Sequence, residues 1–267
     1  MKTSSSFAKT LAMAGFVGVA AATAQAQNTI SWSMNRWGFT QATGNNGGQP
    51  VPNTTAGAPG YVAANWNDAY NESVQNSSSA TVNNLWDSSG ADSGASITYS
   101  CKDLWQIQNS GNPARDTDLS YNKQMLNGYL DSGLAGLNST IAISSIPYST
   151  YDIIVYFSGD TAGRAGTLNV GSTTYDFTSM GGAAISGGNA LFTQATDTTG
   201  SNPTAADYAI FSGLTGSSET ITFTASVDGA GGIAAFQIVS VPEPGSMALA
   251  IMGGLGVLLM KRRFKKS

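Results

Sequence analysis

Tyr151-Asp152-Ile153-Ile154-Val155-Tyr156-Phe157-Ser158 is a short, nearly continuous run of aromatic and β-branched residues in the second half of the chain. Such runs are typical of strands that are buried on both faces. Gly159 and Asp160 follow directly, and these two residue types favour a turn. The stretch therefore predicts a central strand of a sheet that is covered on both sides.

The residues on either side repeat this short pattern. Thr220-Ile221-Thr222-Phe223-Thr224 alternates between polar and apolar residues, which predicts a strand with one face in water. Helical spacing occurs only over 123–131, which predicts one short helix. The chain is therefore predicted to be all-β, with a two-sheet β-sandwich over 27–240. The strands are predicted over 30–34, 95–100, 104–107, 140–144, 151–158, 166–170, 173–178, 190–194, 206–212, 220–226 and 232–240.

The first 26 residues have the order of a secretory signal peptide. Lys2 and Lys9 accompany an apolar stretch over 11–22, and Ala24-Gln25-Ala26 then supplies a small-residue cleavage site. We expect 1–26 to be cleaved after export through the Sec machinery, so that the mature chain begins at Gln27.

The region from Gln27 to Ser240 is acidic. It contains five basic and fifteen acidic residues, which give a formal net charge of −10. Such a surface repels phosphate backbones, so we expect no nucleic-acid partner. The chain has no histidine, which excludes Ser-His-Asp and Cys-His catalysis and imidazole metal sites. No motif places two carboxylates together, so we name no catalytic residue. The single cysteine, Cys101, is expected to be a small buried side chain.

The last 27 residues have three parts. Val241-Pro242-Glu243-Pro244 comes first, an uncharged apolar run over 245–260 follows, and a basic cluster over 261–267 ends the chain. The apolar run is shorter than the ~20 residues that usually span a hydrocarbon core, but flanking bases can snorkel to the interface. We therefore expect 245–260 to form a single transmembrane helix. The basic tail is expected in the cytoplasm, and its bases are Lys261, Arg262, Arg263, Lys265 and Lys266.

This tail resembles the PEP-CTERM sorting signal, which occurs on exported proteins of Gram-negative bacteria that also make exopolysaccharide. The resemblance covers 241–267 and includes all three parts in order. It implies that Pro242, Glu243 and Pro244 are recognised by an exosortase, a membrane-embedded cysteine transpeptidase-like enzyme. Before cleavage the tail would hold the protein temporarily in the inner membrane. Cleavage near the motif would then transfer the protein to the cell surface or release it into the extracellular matrix.

Three upstream segments, 127–131, 151–160 and 232–239, are similar to an uncharacterised family of bacterial surface domains with a jelly-roll-like sandwich. Together the resemblances imply a non-enzymatic surface or matrix protein, associated with exopolysaccharide and biofilm, that binds glycan or forms part of the matrix. Two alternatives stay open. One is a secreted carboxylate-dependent glycan hydrolase or lyase, and the other is a structural adhesin that contacts proteins.

Two groups of residues are candidate binding sites. Asn65, Trp66, Asn67 and Asp68 combine an aromatic ring that could stack on a sugar with side chains that could hydrogen-bond its hydroxyls, although a core tryptophan between turn residues gives the same pattern. The loop aspartates Asp116, Asp118 and Asp160 could supply oxygens to Ca²⁺, although solvated turns also explain them. No other cofactor is expected.

Overall fold

A computed structural model of the chain describes residues 28–34, 50–51, 55–68, 78–107, 121–182 and 192–242. Residues 27–247 form one compact unit. The predicted signal peptide over 1–26, the apolar run over 245–260 and the basic tail over 261–267 lie outside the described residues. Within the described ranges, no helix has the length and apolar character that crossing a membrane requires.

The described part of the chain is mostly β, with 52% strand in two sheets, which confirms the prediction of an all-β sandwich. Within the described ranges the elements are β1 Thr29–Ser33, β2 Pro50–Val51, β3 Trp66–Asp68, β4 Ser79–Val82, β5 Ser96–Ser100, β6 Asp103–Gln106, α1 Tyr121–Asn127, β7 Gly128–Asp131, β8 Asn138–Ser144, β9 Tyr151–Ser158, β10 Ala165–Val170, β11 Thr173–Ser179, β12 Thr204–Ala206, β13 Tyr208–Leu214, β14 Ser218–Ala225 and β15 Gly232–Ser240.

In the second half of the chain, most consecutive strands belong to different sheets. The first sheet has the order β13-β9-β15-β1-β3-β2, with β7 beside the start of β15 and β6 beside β7. The second sheet has the order β12-β11-β10-β14-β8-β5-β4. The chain changes sheet between β8 and β9, between β9 and β10, and at each step from β12 to β15. Strands that are distant in sequence therefore become neighbours.

The main core lies between the sheets, and a second apolar cluster covers the outer face of the first sheet. On β9, Val155 and Phe157 face the main core, whereas Ile154 and Tyr156 face the second cluster. Residues from the segment 55–66 and from α1 pack on that outer face. The predicted burial of β9 on both faces is therefore confirmed, and its bounds agree with the prediction.

Two local predictions are wrong. The helix predicted over 123–131 spans Tyr121–Asn127, and the chain continues directly as the strand Gly128–Asp131. Long-range pairing of this strand with β15, with Leu130 opposite Ile233, overrides the local helical spacing. In the strand predicted over 190–194, the described residues form only a single bridge, from Gln194 to Tyr208.

Candidate functional site

Trp66 belongs to the core of the structure. Its side chain is 0% exposed and packs 6.3 Å, centroid to centroid, from the ring of Tyr156. The indole N–H donates to the carbonyl oxygens of Ala56 at 3.2 Å and Ala63 at 3.1 Å. A ring with no accessible face cannot stack on a sugar, so the prediction of a glycan site around Trp66 is wrong and the alternative of a core tryptophan holds.

The two asparagines beside Trp66 connect loops. Asn67 is fully buried, and its Nδ2 donates to the carbonyl oxygens of Ser31 at 2.8 Å and Trp86 at 2.9 Å. Its Oδ1 accepts the N–H of Trp86 at 2.9 Å, so both ends of the amide are in use. Asn65 has a positive φ of 54° and donates from Nδ2 to the carbonyl oxygen of Ser88 at 2.8 Å. Asp68 ends β3, and its side chain is not among those the structure describes.

The predicted calcium ligands are only partly within the described residues. Asp160 is exposed in the turn between β9 and β10, where its carboxylate accepts a long hydrogen bond of 3.4 Å from the hydroxyl of Thr161. No group of three or more His, Cys, Asp or Glu side chains in the described ranges could hold a metal ion. Asp116 and Asp118 lie outside those ranges, so the calcium hypothesis depends on residues that the structure does not place.

The structure pairs two carboxylates that no sequence motif connects. Asp103 on β6 and Asp131 on β7 are direct register partners. Burial raises the pKa of Asp131, and the charges of Asp103 and Asp160 raise it further, whereas the N–H of Gly133 and the charge of Lys102 lower it. The pair depends on an antiparallel pairing across a long stretch of sequence, so the sequence alone could not reveal it.

Cys101 lies just before this pair. Its thiol is half-buried and donates to the carbonyl oxygen of Ser78 at 3.5 Å. Burial, followed by the charges of Asp103 and Asp131, raises the pKa of the thiol to about 12. Because the thiolate is the nucleophile, this environment makes Cys101 unreactive at neutral pH.

We expect Cys101 in the folded chain to react with a chromogenic disulfide reagent at pH 8 about a hundred- to thousandfold more slowly than in urea, because its thiolate fraction is depressed. The release of the coloured thiol, followed in buffer and in urea, measures the ratio. The Cys101→Ser variant supplies the blank. Similar rates in the two solvents would contradict the assigned environment.

The outer face of the second sheet is open and carries a groove. The groove has a volume of about 460 Å³ and crosses β8, β14 and the end of β10. The hydroxyl groups of Thr140, Thr220 and Thr222 lie on this face without a hydrogen-bond partner in the described part of the chain. The alternation of polar and apolar residues over 220–224, which predicts a strand with one face in water, is the sequence signal for this face. The groove is lined by Ala142, Ile143, Asn169, Gly171, Ser218, Glu219, Thr220 and Thr222.

The Pro-Glu-Pro segment begins where the fold ends. Strand β15 ends at Ser240, whose N–H donates to the carbonyl oxygen of Asn28 at 3.0 Å. The N–H of Val241 donates to the carbonyl oxygen of Thr150 at 3.0 Å, and the next residue, Pro242, is exposed. The chain is therefore held by the sandwich up to Val241 and emerges into solvent at Pro242. Glu243 and Pro244 lie outside the described residues.

These features define a two-sheet β-sandwich with one covered outer face, one open hydroxyl-rich outer face and an exposed C-terminal exit. Comparison of the chain with the models of known protein families, with curated proteins and with solved structures finds no significant match.

Proposed function

We propose that this chain is an exported surface or matrix protein of an exopolysaccharide-producing Gram-negative bacterium, and that an exosortase processes its tail. One observation carries the proposal. The backbone of Val241 is still held by the sandwich, whereas Pro242, the first residue of the Pro-Glu-Pro motif, is exposed. A cut at or after this motif would leave β15 and the core intact, so the released domain would stay folded.

The proposed domain is a jelly roll. The topology supports this assignment, because the strands β1-β15-β9-β13 and β8-β14-β10-β11 follow one another within the two sheets while the chain passes back and forth between them. Double Greek keys of eight strands give such an order. The short strands β2 to β7 and the helix α1 are then an insertion between the first and second strands of the jelly roll.

The domain is proposed to act without catalysis. The chain contains no histidine, so a serine nucleophile would lack its usual general base. The pKa of its single cysteine is strongly raised, so a cysteine nucleophile would lack its thiolate. A surface protein of this kind would act by binding matrix components or by forming part of the matrix.

A second candidate function, glycan hydrolysis or cleavage by carboxylates, is favoured by one observation. Asp103 and Asp131 lie opposite each other, and burial raises the pKa of Asp131, which suits a general acid. The test is whether the protein releases reducing ends from a polysaccharide. Loss of this activity in Asp131→Asn, together with normal activity in Asp92→Asn at an exposed position, would support this candidate over the first.

Changing Glu243 and Pro244 together to alanine is expected to leave the protein full-length and held in the membrane of a host that has an exosortase. The physical reason is that the double change removes the proposed recognition element and leaves the apolar run and the basic cluster unchanged. Immunoblots of membrane and surface fractions measure the result. Pro147→Ala, at an exposed proline of the sandwich, is the control and should be processed normally. Normal processing of the double variant would refute the proposal.

A further inference from the structure

The open face of the second sheet carries little charge although the domain around it is acidic. Asp176 on β11 lies opposite Thr167, and Glu219 lines the groove. Side chains point outward from alternate positions of β4, β5, β8, β10 and β14, and none of these sixteen is charged. Fourteen are Ser, Thr or Asn, and two are alanine. The sixteen are Ser79, Thr81, Ser96, Thr98, Ser100, Asn138, Thr140, Ala142, Ser144, Ala165, Thr167, Asn169, Ser218, Thr220, Thr222 and Thr224.

The strand register aligns these side chains in rows that run across the strands. The longest row crosses six strands and consists of Ser79, Ser100, Thr140, Thr222, Asn169 and Thr174. A second row crosses four strands and consists of Thr81, Thr98, Ala142 and Thr220. Neighbours within a row are ~4.8 Å apart, and adjacent rows are ~7 Å apart, because these are the spacings between strands and between alternate residues of one strand.

The middle of the face is concave and has free hydroxyls, whereas the Nδ2 of Asn169 donates to the carbonyl oxygen of Thr173 and to the hydroxyl of Thr174, both at 2.9 Å. Ala142 stands between threonines in its row, and this small side chain lowers the floor of the groove of about 460 Å³. The hydroxyls of Thr140, Thr220 and Thr222 have no intramolecular partner in the described part of the chain. By contrast, Thr81 and Thr98, at one side of the face, bond each other at 2.8 Å.

We propose that this face binds an extended, neutral polysaccharide that lies across the strands, along the row through Thr140 and Thr222. The distance between strands is close to the length of one sugar residue in an extended polysaccharide, so the hydroxyls of Thr140 on β8 and Thr222 on β14 could meet successive sugars. The row through Thr140 and Thr222 contains no charged side chain, so a polysaccharide along it would desolvate only neutral groups of that row. The net charge of −10 over 27–240, with Glu219 in the groove, disfavours polyanions. This inference deepens the proposed function and rests on it, because a protein at the cell surface or in the matrix encounters matrix glycans.

Affinity electrophoresis of the full chain tests the inference, in a detergent that has no sugar headgroup. The gels contain hydroxyethyl cellulose, xylan or galactomannan as neutral polysaccharides, and alginate is the anionic comparison. Retardation by at least one neutral polysaccharide is expected. Ala142→Arg should weaken it at least about tenfold by filling the groove, and the double change Thr140→Val and Thr222→Val should weaken it about three- to tenfold by removing two hydroxyls. Ala91→Arg and Thr204→Val, at exposed positions away from the rows, should bind normally.

Four results would overturn the inference. They are no retardation by any neutral polysaccharide, retardation that the Ala142→Arg variant leaves unchanged, alginate binding of equal strength, and a concentration-dependent dimer that Ala142→Arg abolishes. The last would make a second copy of the chain the occupant of the face. Because the processing test changes only the tail, normal processing without glycan binding would reject this inference alone. Glycan binding with unchanged processing of the tail variant would reject only the exosortase proposal.

Discussion

Replacing Trp66 with alanine is expected to destabilise the domain by about 3–5 kcal/mol, the range for deleting a fully buried aromatic side chain. Its side chain is 0% exposed, it contacts Tyr156, and its indole N–H reaches the carbonyl oxygens of Ala56 and Ala63. The deletion would open a cavity under the segment that covers the first sheet. Urea unfolding followed by circular dichroism measures the change in the free energy of unfolding.

Two further variants separate the contributions. Trp66→Phe keeps most of the buried ring and loses the N–H donor, so a smaller loss of about 1–2 kcal/mol is expected. Trp105→Ala removes a tryptophan that is 38% exposed on β6 and should cost about 1 kcal/mol or less. Equal losses for the alanine variants of Trp66 and Trp105 would contradict the assignment of Trp66 to the core. Polysaccharide binding by folded Trp66→Phe is expected to be normal, because Trp66 is not on the open face.

Replacing Asp207 with asparagine is expected to stabilise the domain at pH 8 by about 2–4 kcal/mol. Asp207 is 1% exposed, its Oδ1 accepts the N–H of Thr193 at 2.7 Å, and its Oδ2 has no hydrogen-bond partner among the residues that the structure describes. Burial raises the pKa of this carboxyl to about 7, against the lowering effect of the N–H of Thr193. The ionised form is therefore costly in the folded state, whereas an amide of the same shape carries no charge.

The pH dependence gives the sign of this effect. The folded pKa lies above the unfolded value of 3.8, so the folded state holds its proton more tightly. The contribution of Asp207 to stability is thus most favourable below about pH 4 and is lost as the pH rises to about 7. The stabilisation by Asp207→Asn should accordingly fade at pH 4. Unfolding midpoints at both pH values test this, with Asp160→Asn as the exposed control. A gain of the same size at both pH values would refute the buried charge.

Much of the fold could be predicted from local sequence pattern. Alternation and apolar runs report which side of a strand is buried, and these patterns predict β9, β14 and β15. The pattern failed where a distant partner decided the conformation. The segment 123–131 has helical spacing of apolar residues, yet its last four residues, Gly128–Asp131, pair with β15 as a strand. Local spacing carries no information about such a partner.

The site predictions show the same division more sharply. The composition of the segment 65–67 is compatible with a sugar-binding loop and with a tryptophan that packs in the core. Only the burial of the Trp66 side chain distinguishes the two. In the opposite sense, the threonines of β8 and β14 are unremarkable strand residues in sequence. Their alignment into rows, and the opposition of Asp103 and Asp131, arise from strand register, which is set by contacts across the whole chain.

The sequence by itself determined the fold class, the acidic and histidine-free chemistry of the domain and the order of the tail motif, because composition and short-range periodicity are local properties. Only the tertiary structure decided that Trp66 is buried, that Asp207 is an enclosed carboxylate, that Pro242 is exposed at the exit and that one sheet face is open and rich in hydroxyls. The physical reason is that exposure, neighbouring charges and register depend on which distant strands pack together, and each of these pairings is fixed by the complete core.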